Sequence, residues 1–584
     1  MAIRISTQIT LVRKLDFGLS FHLWHDELTS PTDLRRVCRE YSAHHSAQFN
    51  VNTNYYSKTP DTGVVREYWF DIKNVTAAPD GVDRPMMLVN GQYPGPTIEA
   101  DWGDTVKVHV QNSLESNGTS IHFHGVRQFL NNQMDGTVSV TQCPIAPGTS
   151  YTYTWRAEQY GTGFYHSHFS LQAWEGVFGG IVIHGPATSV YDEDLGVLFL
   201  NDWPHRTFNE MYMGQIRNPA TPVIDTGLIN MTNVWVSDGD IVGQRFKTDF
   251  VPGKKYRIRL VNAAMHAHFR FSIDDHNLTV IASDFVPIVP FTTNNIVIGM
   301  GQRYDIIVQA DQPADNYWIR SVPQSGCSNI PTGDNVKGIL HYMGADDAGE
   351  PMTVKWDYGD DTQCLDRPMS DLVPWVALDA MISNATNIND AVAPISAGSP
   401  GIFLWTIGGR AFNVSWRDPT LSHSPTTGIN GTITDPGAIE LPEANQWVIF
   451  IITTTQGVPH PIHLHGHDFY ILAQGVGAFT KSIPLQTHNP PRRDVALLPA
   501  QSNGGYLVIA FPTDNPGAWL LHCHMGFHSS TGFAQQIVER KTEFWRFLNP
   551  ELLRQTCDAW DDYAAVNPYG VQHRGTNGPY ESGM

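Results

Sequence analysis

HSHFSLQAWEGVFGGIVI, residues 166–183, aligns without gaps on HCHMGFHSSTGFAQQIVE, residues 522–539. His166 falls on His522, His168 on His524, Gly176 on Gly532, and Ile181-Val182 on Ile537-Val538. Upstream of each copy stands a second histidine pair, in HFHG (122–125) and HLHG (463–466). A motif that recurs in this way makes the first and last thirds of the chain copies of one structural unit. The copies differ in chemistry, because Ser167 and Gln172 stand where Cys523 and His528 do.

That unit reads as β. Val106, Val108 and Val110 alternate in DTVKVHVQN, Tyr256, Ile258 and Leu260 in KKYRIRLVN, and Tyr304, Ile306 and Val308 in GQRYDIIVQAD, the period of a half-buried strand. Turn clusters such as NGQYPGP, FVPGKK and PTDNPGAW separate the runs. The middle third has comparable strands without the paired motifs. The expectation is an all-β chain of three consecutive Greek-key β-sandwich domains at 51–190, 191–350 and 401–545. An atypical extension (1–50) precedes them, a linker (351–400) interrupts them, and a short helix and tail (546–584) follow. Asn549 and Pro550 supply an N-cap and first helical position for ELLRQTC, which carries Cys557.

Composition narrows the function. Among 584 residues, 57 acids against 37 bases leave a formal charge of −20, which repels phosphate and argues against nucleic-acid binding. No apolar run approaches the roughly eighteen residues that span a bilayer, so a soluble protein without a membrane partner is expected. Six cysteines, none in CxxC, exclude a zinc ribbon or thioredoxin-type motif. Seven N-x-S/T sequons, at Asn74, Asn117, Asn230, Asn277, Asn384, Asn413 and Asn430, favour secretion. Residues 1–37 show no apolar stretch followed by a small-residue cleavage site.

The histidines carry the chemistry. His122/His124, His166/His168, His463/His465 and His522/His524 are His-x-His pairs, and on a strand each pair presents two imidazoles to one face. With 25 histidines roughly one such pair arises by chance; His266/His268, which has no counterpart nearby, reads as structural. In HCHMGFH, Cys523 points away from His522 and His524. With His460 and His528 it forms the thiolate and two-imidazole donor set of a blue-copper electron-transfer site. A covalent run from that site to a metal cluster suits a redox metal, and zinc has no redox chemistry to transmit.

HFHG, HSH, HPIHLHG and HCHMGFH, with NGQYPGPTIEADWGD, DGTVSVTQCPI, NPPRRD and DNPGAWLLHCH, resemble the multicopper oxidases, specifically ascomycete-type fungal laccases. The resemblance implies cupredoxin-like domains and four copper ions. It gives His460, Cys523 and His528 to type 1 copper and His122 and His463 to type 2. His124, His166, His168, His465, His522 and His524 go to the type 3 pair. Asp135 would serve the trinuclear centre in proton delivery; its alternative is a solvated surface acid. Cys143–Cys557 and Cys327–Cys364 would be disulfides, with Cys38 unpaired.

Departures from the family pattern are informative. Phe533, ten residues after Cys523, occupies the axial position and cannot coordinate, which raises the type 1 potential; core packing also accounts for a Phe. Phe527 replaces the aromatic often found as Trp, and Phe403 and Trp405 resemble pocket-wall positions. Asp202 and Glu210 resemble acids that accept a phenol proton, with Glu210 favoured by alignment and a solvated loop acid as the alternative for each. The tail ESGM (581–584) resembles a plug of the channel to type 3 copper. The implied activity is one-electron oxidation of small phenolic or aromatic donors coupled to reduction of O2 to water, by a secreted monomer. The alternative is a related oxidase whose donor is bilirubin, ascorbate, a pigment precursor or a metal ion. An electron carrier needs only His460, Cys523 and His528, so the other eight histidines argue against it.

Overall fold

The computed structural model describes residues 49–567 except 219, 347–348, 360–361, 398–400, 424–432 and 434. Cys38, nearly all of the expected extension and the ESGM tail lie outside the described residues.

Three β-sandwiches of one plan follow each other. In the first, one sheet orders Arg84–Val89, Val65–Ala77, Thr105–Asn112 and Ser150–Arg156. The other orders Gly95–Asp101, Phe178–His184, Gly161–Ser167 and Ile121–His124. Each sheet contains one parallel pair, Val65–Ala77 with Thr105–Asn112 and Gly95–Asp101 with Phe178–His184. The second sandwich repeats both pairings with Glu193–Trp203 beside Lys255–Asn262 and Lys247–Phe250 beside Lys337–Tyr342. The third does so with Thr386–Ala397 beside Trp447–Thr454 and Ile439–Leu441 beside Ala534–Glu539. Two-residue hairpins join only antiparallel neighbours, so each parallel pair requires a longer crossover connection. The middle third therefore shares the plan of its neighbours without their histidines.

Burial follows the sequence period in Thr105–Asn112, where Val106, Val108 and Val110 point inward and the residues between them do not. In Lys255–Asn262 the outward face is buried as well, Arg257 and Arg259 included. Arg257 Nη2 reaches Asp305 Oδ2 at 2.5 Å, Arg259 Nη2 reaches Asp194 Oδ2 at 2.6 Å, and Thr162 Oγ1 of the first sandwich donates to Asp305 Oδ1 at 2.6 Å. Unpaired, such charges would not stay buried.

One boundary needs correction. The third sandwich begins inside the expected linker, because Thr386–Ala397 pairs with both Ile402–Ile407 and Trp447–Thr454. Val392 is its one fully buried residue among 386–396, so the strand carries no apolar alternation to betray it. The C-terminal helix forms as expected over Pro550–Val566: the Asn549 side chain accepts the Leu552 N–H at 3.1 Å, and Leu553, Thr556, Trp560 and Ala564 face inward. Cys143–Cys557 ties this helix to the first sandwich, and Cys327–Cys364 is the second disulfide.

Candidate metal centre

Two strand pairs related by the repeat deliver the imidazoles. Ile121–His124 runs antiparallel to Gly161–Ser167 with His122 opposite His166. His460–Leu464 runs antiparallel to Gly517–Cys523 with His463 opposite His522. The eight histidines of the four pairs meet in one buried cluster. His122 stacks on His465 with ring centroids 4.0 Å apart and His124 on His463 at 3.9 Å, each stack crossing from the first sandwich to the third. Several sets of three lie close together, among them His122, His463 and His465 with centroids 4.0 to 5.7 Å apart. His168, His465 and His522 lie 5.1 to 5.4 Å apart, centroid to centroid; His124, His166 and His524 lie 4.8 to 5.7 Å apart. His122 and His463 face each other across the two sandwiches at 5.7 Å. The trios His168/His465/His522 and His124/His166/His524 each draw on both the first and the third sandwich.

Hydrogen bonds fix which nitrogen faces inward in six of the eight rings. His122 Nδ1 donates to the Asp135 carbonyl and His463 Nδ1 to the Asp494 carbonyl, both at 2.8 Å. His166 Nδ1 donates to Ser167 O at 2.9 Å and His522 Nδ1 to Cys523 O at 3.0 Å, so the aligned positions of the repeat share the same bond. Each such bond leaves a bare Nε2 for a metal. The carboxylates reach across. Asp135 Oδ2 accepts His465 Nδ1 at 2.8 Å, and Asp494 Oδ1 accepts His124 Nε2 at 3.1 Å. Each acid thus holds one histidine of its own sandwich by its carbonyl and one of the other by its carboxylate. Asp135 is 1% exposed, which removes the solvated-acid reading. Asp494 was not singled out in the sequence, although it closes NPPRRD; its partner His124 is 370 residues away.

The site fits a metal. His122 Nε2, His166 Nε2, His463 Nε2, His460 Nε2, His124 Nδ1 and His168 Nδ1 are buried without a hydrogen-bond partner, a costly condition that coordination relieves. Burial, reinforced by neighbouring imidazoles, holds His124, His168, His463, His465 and His524 well below the usual histidine range. Burial likewise lowers His166 to about 3 and His522 to about 4. Neutral imidazole is the form that binds metals.

On the opposite face of Cys523 lies a second donor set. His460 Nδ1 and His528 Nδ1 are 3.1 Å apart, and each is 3.7 Å from Cys523 Sγ. The centre of such a triangle is about 2 Å from every corner, a metal–imidazole bond length. Burial pushes the Cys523 thiol up, and metal ligation is what draws such a proton off. The Trp405 ring sits 4.7 Å from both His460 and His528, and the fully buried Phe533 ring lies 5.0 Å from His460. His528 is the most exposed of the eleven donors, at 9%.

Helix Phe208–Gln215 props the short helix Gly526–Ser530 that carries His528. Phe208 and Tyr212 pack on Phe527, and Tyr212 Oη donates to Ser530 O at 3.0 Å. Phe403 lies 5.6 Å from Trp405, ring to ring. Glu210 is exposed and completes a capping box, its Oε2 accepting the Thr207 N–H at 2.9 Å while Thr207 Oγ1 accepts its own N–H. Asp202 is buried instead. Its oxygens accept the N–H groups of Met265, His266 and Ala267 at 2.8, 2.8 and 3.0 Å, and burial raises its pKa to about 6. This turn places the His266 ring 6.1 Å from His528, with Nδ1 buried and unpartnered. His266, read in sequence as structural, thus borders the exposed donor; no recurrence of its motif could have shown that.

Comparison with known proteins gives one answer throughout. Three multicopper oxidase family models match residues 71–188, 194–345 and 413–543. Laccase-1 of Botryotinia fuckeliana is 43% identical over 96% of this chain and 98% of its own. Oxidoreductase OpS5 of Beauveria bassiana is 44% identical over 88% of each. The crystal structure of a laccase from Botrytis aclada superposes with a TM-score of 0.84 at 42% identity, covering 92% of this chain and 98% of that one.

Proposed function

The chain belongs to the multicopper oxidases and is laccase-like, and from that membership we propose roles for its side chains and a phenolic donor. When bound, four copper ions supply one-electron oxidation of the donor and four-electron reduction of dioxygen to water. His460, Cys523 and His528 would hold type 1 copper, and His122 and His463 type 2. The trios His124/His166/His524 and His168/His465/His522 would hold the two type 3 ions. The observation that carries this reading is covalent: Cys523 belongs to one donor set while its chain neighbours His522 and His524 belong to the other.

The donor approaches the His528 edge, walled by Phe527, Phe403, Trp405 and His266. Asp202 is proposed to take the phenolic proton, supported by a burial-raised pKa of about 6 that suits a proton acceptor in mildly acidic solution. Glu210 is the exposed alternative; its carboxylate also serves the helix cap, as the Asp202 oxygens serve the Met265–Ala267 turn. Asp135 Oδ1, buried with no hydrogen-bond partner, is proposed to pass protons to the oxygen-reducing cluster. Phe533 excludes water and offers no axial donor. A single chain supplies all eleven donors, which supports a monomer. Two disulfides support secretion. The deciding experiment is oxygen uptake by the copper-loaded protein with phenols, ascorbate, bilirubin and Fe(II) offered in turn. Fastest turnover with a donor other than a phenol would replace the phenolic reading.

A further inference from the structure

The middle sandwich contributes none of the eleven donors, yet one of its turns reaches their cluster. Gly301 adopts φ +81°, and a Cβ there would stand 3.0 Å from His524 Cγ and Cδ2 and 3.1 Å from His124 Cε1. Its bare backbone therefore lies against two imidazoles. Gln302 pins the turn, its Oε1 accepting Gly299 N–H at 2.9 Å and its Nε2 donating to Asp366 Oδ1 at 2.7 Å. Arg303 is fully buried. Its Nη1 donates to Asp494 Oδ1 at 2.5 Å and its Nη2 to Asp494 Oδ2 at 2.6 Å. Nε donates to Thr162 O at 3.0 Å, and Nη1 also reaches Gly301 O at 3.1 Å. One guanidinium thus joins all three sandwiches. Gly125, at φ +85° directly after His124, makes room for it: a Cβ there would collide with Arg303 Nη2 and lie 2.8 Å from Asp494 Oδ2.

We propose that Arg303 is a positioning residue of the histidine cluster, its two-pronged grip aiming Asp494 at His124 and His463. The Asp494 carboxylate accepts His124 Nε2–H in the orientation that the guanidinium fork holds, and the same residue's carbonyl accepts His463 Nδ1–H. A planar fork sets direction as well as charge, which a lysine ammonium cannot do. Nearby ion pairs show the contrast. Arg493 grips Asp284 at 3.1 Å and Arg257 grips Asp305, and neither carboxylate receives a hydrogen bond from a donor imidazole. The inference rests on the copper assignment, so its test reads the two donor sets separately.

The test compares copper-loaded wild type with Arg303→Gln, Arg303→Lys and, as a packing control, Arg257→Gln. The readouts are the blue absorption of type 1 copper, the electron paramagnetic resonance of type 2 copper, copper per chain, and oxygen uptake. Both Arg303 variants are expected to retain the blue band, change the type 2 signal, and lose turnover. The loss should be on the order of ten- to hundredfold in Arg303→Gln, as for other residues that orient metal ligands, and smaller in Arg303→Lys. Arg257→Gln should keep both signals in wild-type proportion. If Arg303→Gln does not fold, Arg303→Lys, which keeps the buried charge, decides. A wild-type type 2 signal and turnover in a folded Arg303 variant would overturn the proposal. So would loss of the blue band in step with the cluster signals, which is the mark of domain packing alone. Absence of both copper signals from the wild type would instead overturn the copper assignment beneath it.

Discussion

At the scale of single residues, the donor geometry makes sharp demands. Cys523 Sγ is one corner of a triangle whose other corners are imidazole nitrogens. Cys523→Ser replaces a soft thiolate with a hydroxyl that binds copper poorly, so the blue band and nearly all turnover should disappear; a variant that kept both would refute the assignment. Phe533 lies against His460 and donates nothing. Phe533→Met adds a weak sulfur donor, and a redox titration should show a lower type 1 potential, with poorly reducing phenols slowed most. An unchanged or higher potential would mean that position 533 does not face the metal. Asp202 makes a prediction in pH. Its folded pKa of about 6 exceeds the ordinary 3.8, so between those values the folded state binds more protons than the unfolded one. Stability from this group is therefore lost as pH rises across that window, by about 3 kcal/mol in all. Asparagine does not titrate, so the stability deficit of Asp202→Asn should narrow by that order between about pH 4 and about pH 7. Denaturant unfolding at the two pH values measures it; a deficit that stays constant or widens would show that Asp202 is ionised freely in the fold.

At the scale of elements, helix Phe208–Gln215 separates two readings of Glu210. Gln at the same position can cap as Glu does, whereas Ala cannot. Glu210→Ala should lose about 1 kcal/mol of stability and Glu210→Gln almost none, with similar phenol oxidation in both. Loss of phenol turnover in Glu210→Gln at unchanged stability would restore the carboxylate to the donor site. Elements also show what sequence can carry. The four histidine pairs are legible because the two-residue period of a strand is written in the chain, and the C-terminal helix because its cap and proline are adjacent to it. Thr386–Ala397 is not legible in the sequence, because a strand with one buried side chain has no period to read. Arg257 and Arg259 break the expected alternation because a neighbouring sandwich, invisible to local pattern, covers their face.

At the scale of the whole molecule, the site belongs to the interfaces. Stacks such as His122 on His465 and His124 on His463 exist only when the first and third sandwiches dock, and Asp494, Arg303 and His266 reach the donors from distant segments. These were the residues that the sequence could not place, since no local spacing encodes a tertiary meeting. The same arrangement predicts how the protein responds to acid when stripped of copper. The cluster imidazoles must stay neutral in the fold: burial lowers His166 to about 3 and His522 to about 4, while an unfolded histidine titrates near 6.5. A depressed folded pKa gives stability that is fully present above the unfolded value and is lost as pH falls below it. Each such ring contributes about 1.4 kcal/mol per pH unit to that loss. Denaturant unfolding of the apo-protein should therefore show stability falling steeply between about pH 6.5 and about pH 4.5. Copper-loaded protein should run higher by the binding free energy and nearly parallel, because ligation and burial both keep the rings neutral. Replacing His166 and His522 together with Gln should flatten the apo curve by about 3 kcal/mol per pH unit. An apo curve that is level across this range, or a double variant with the wild-type slope, would mean that the histidines are already solvated before the chain unfolds and that the two sandwiches part without copper between them.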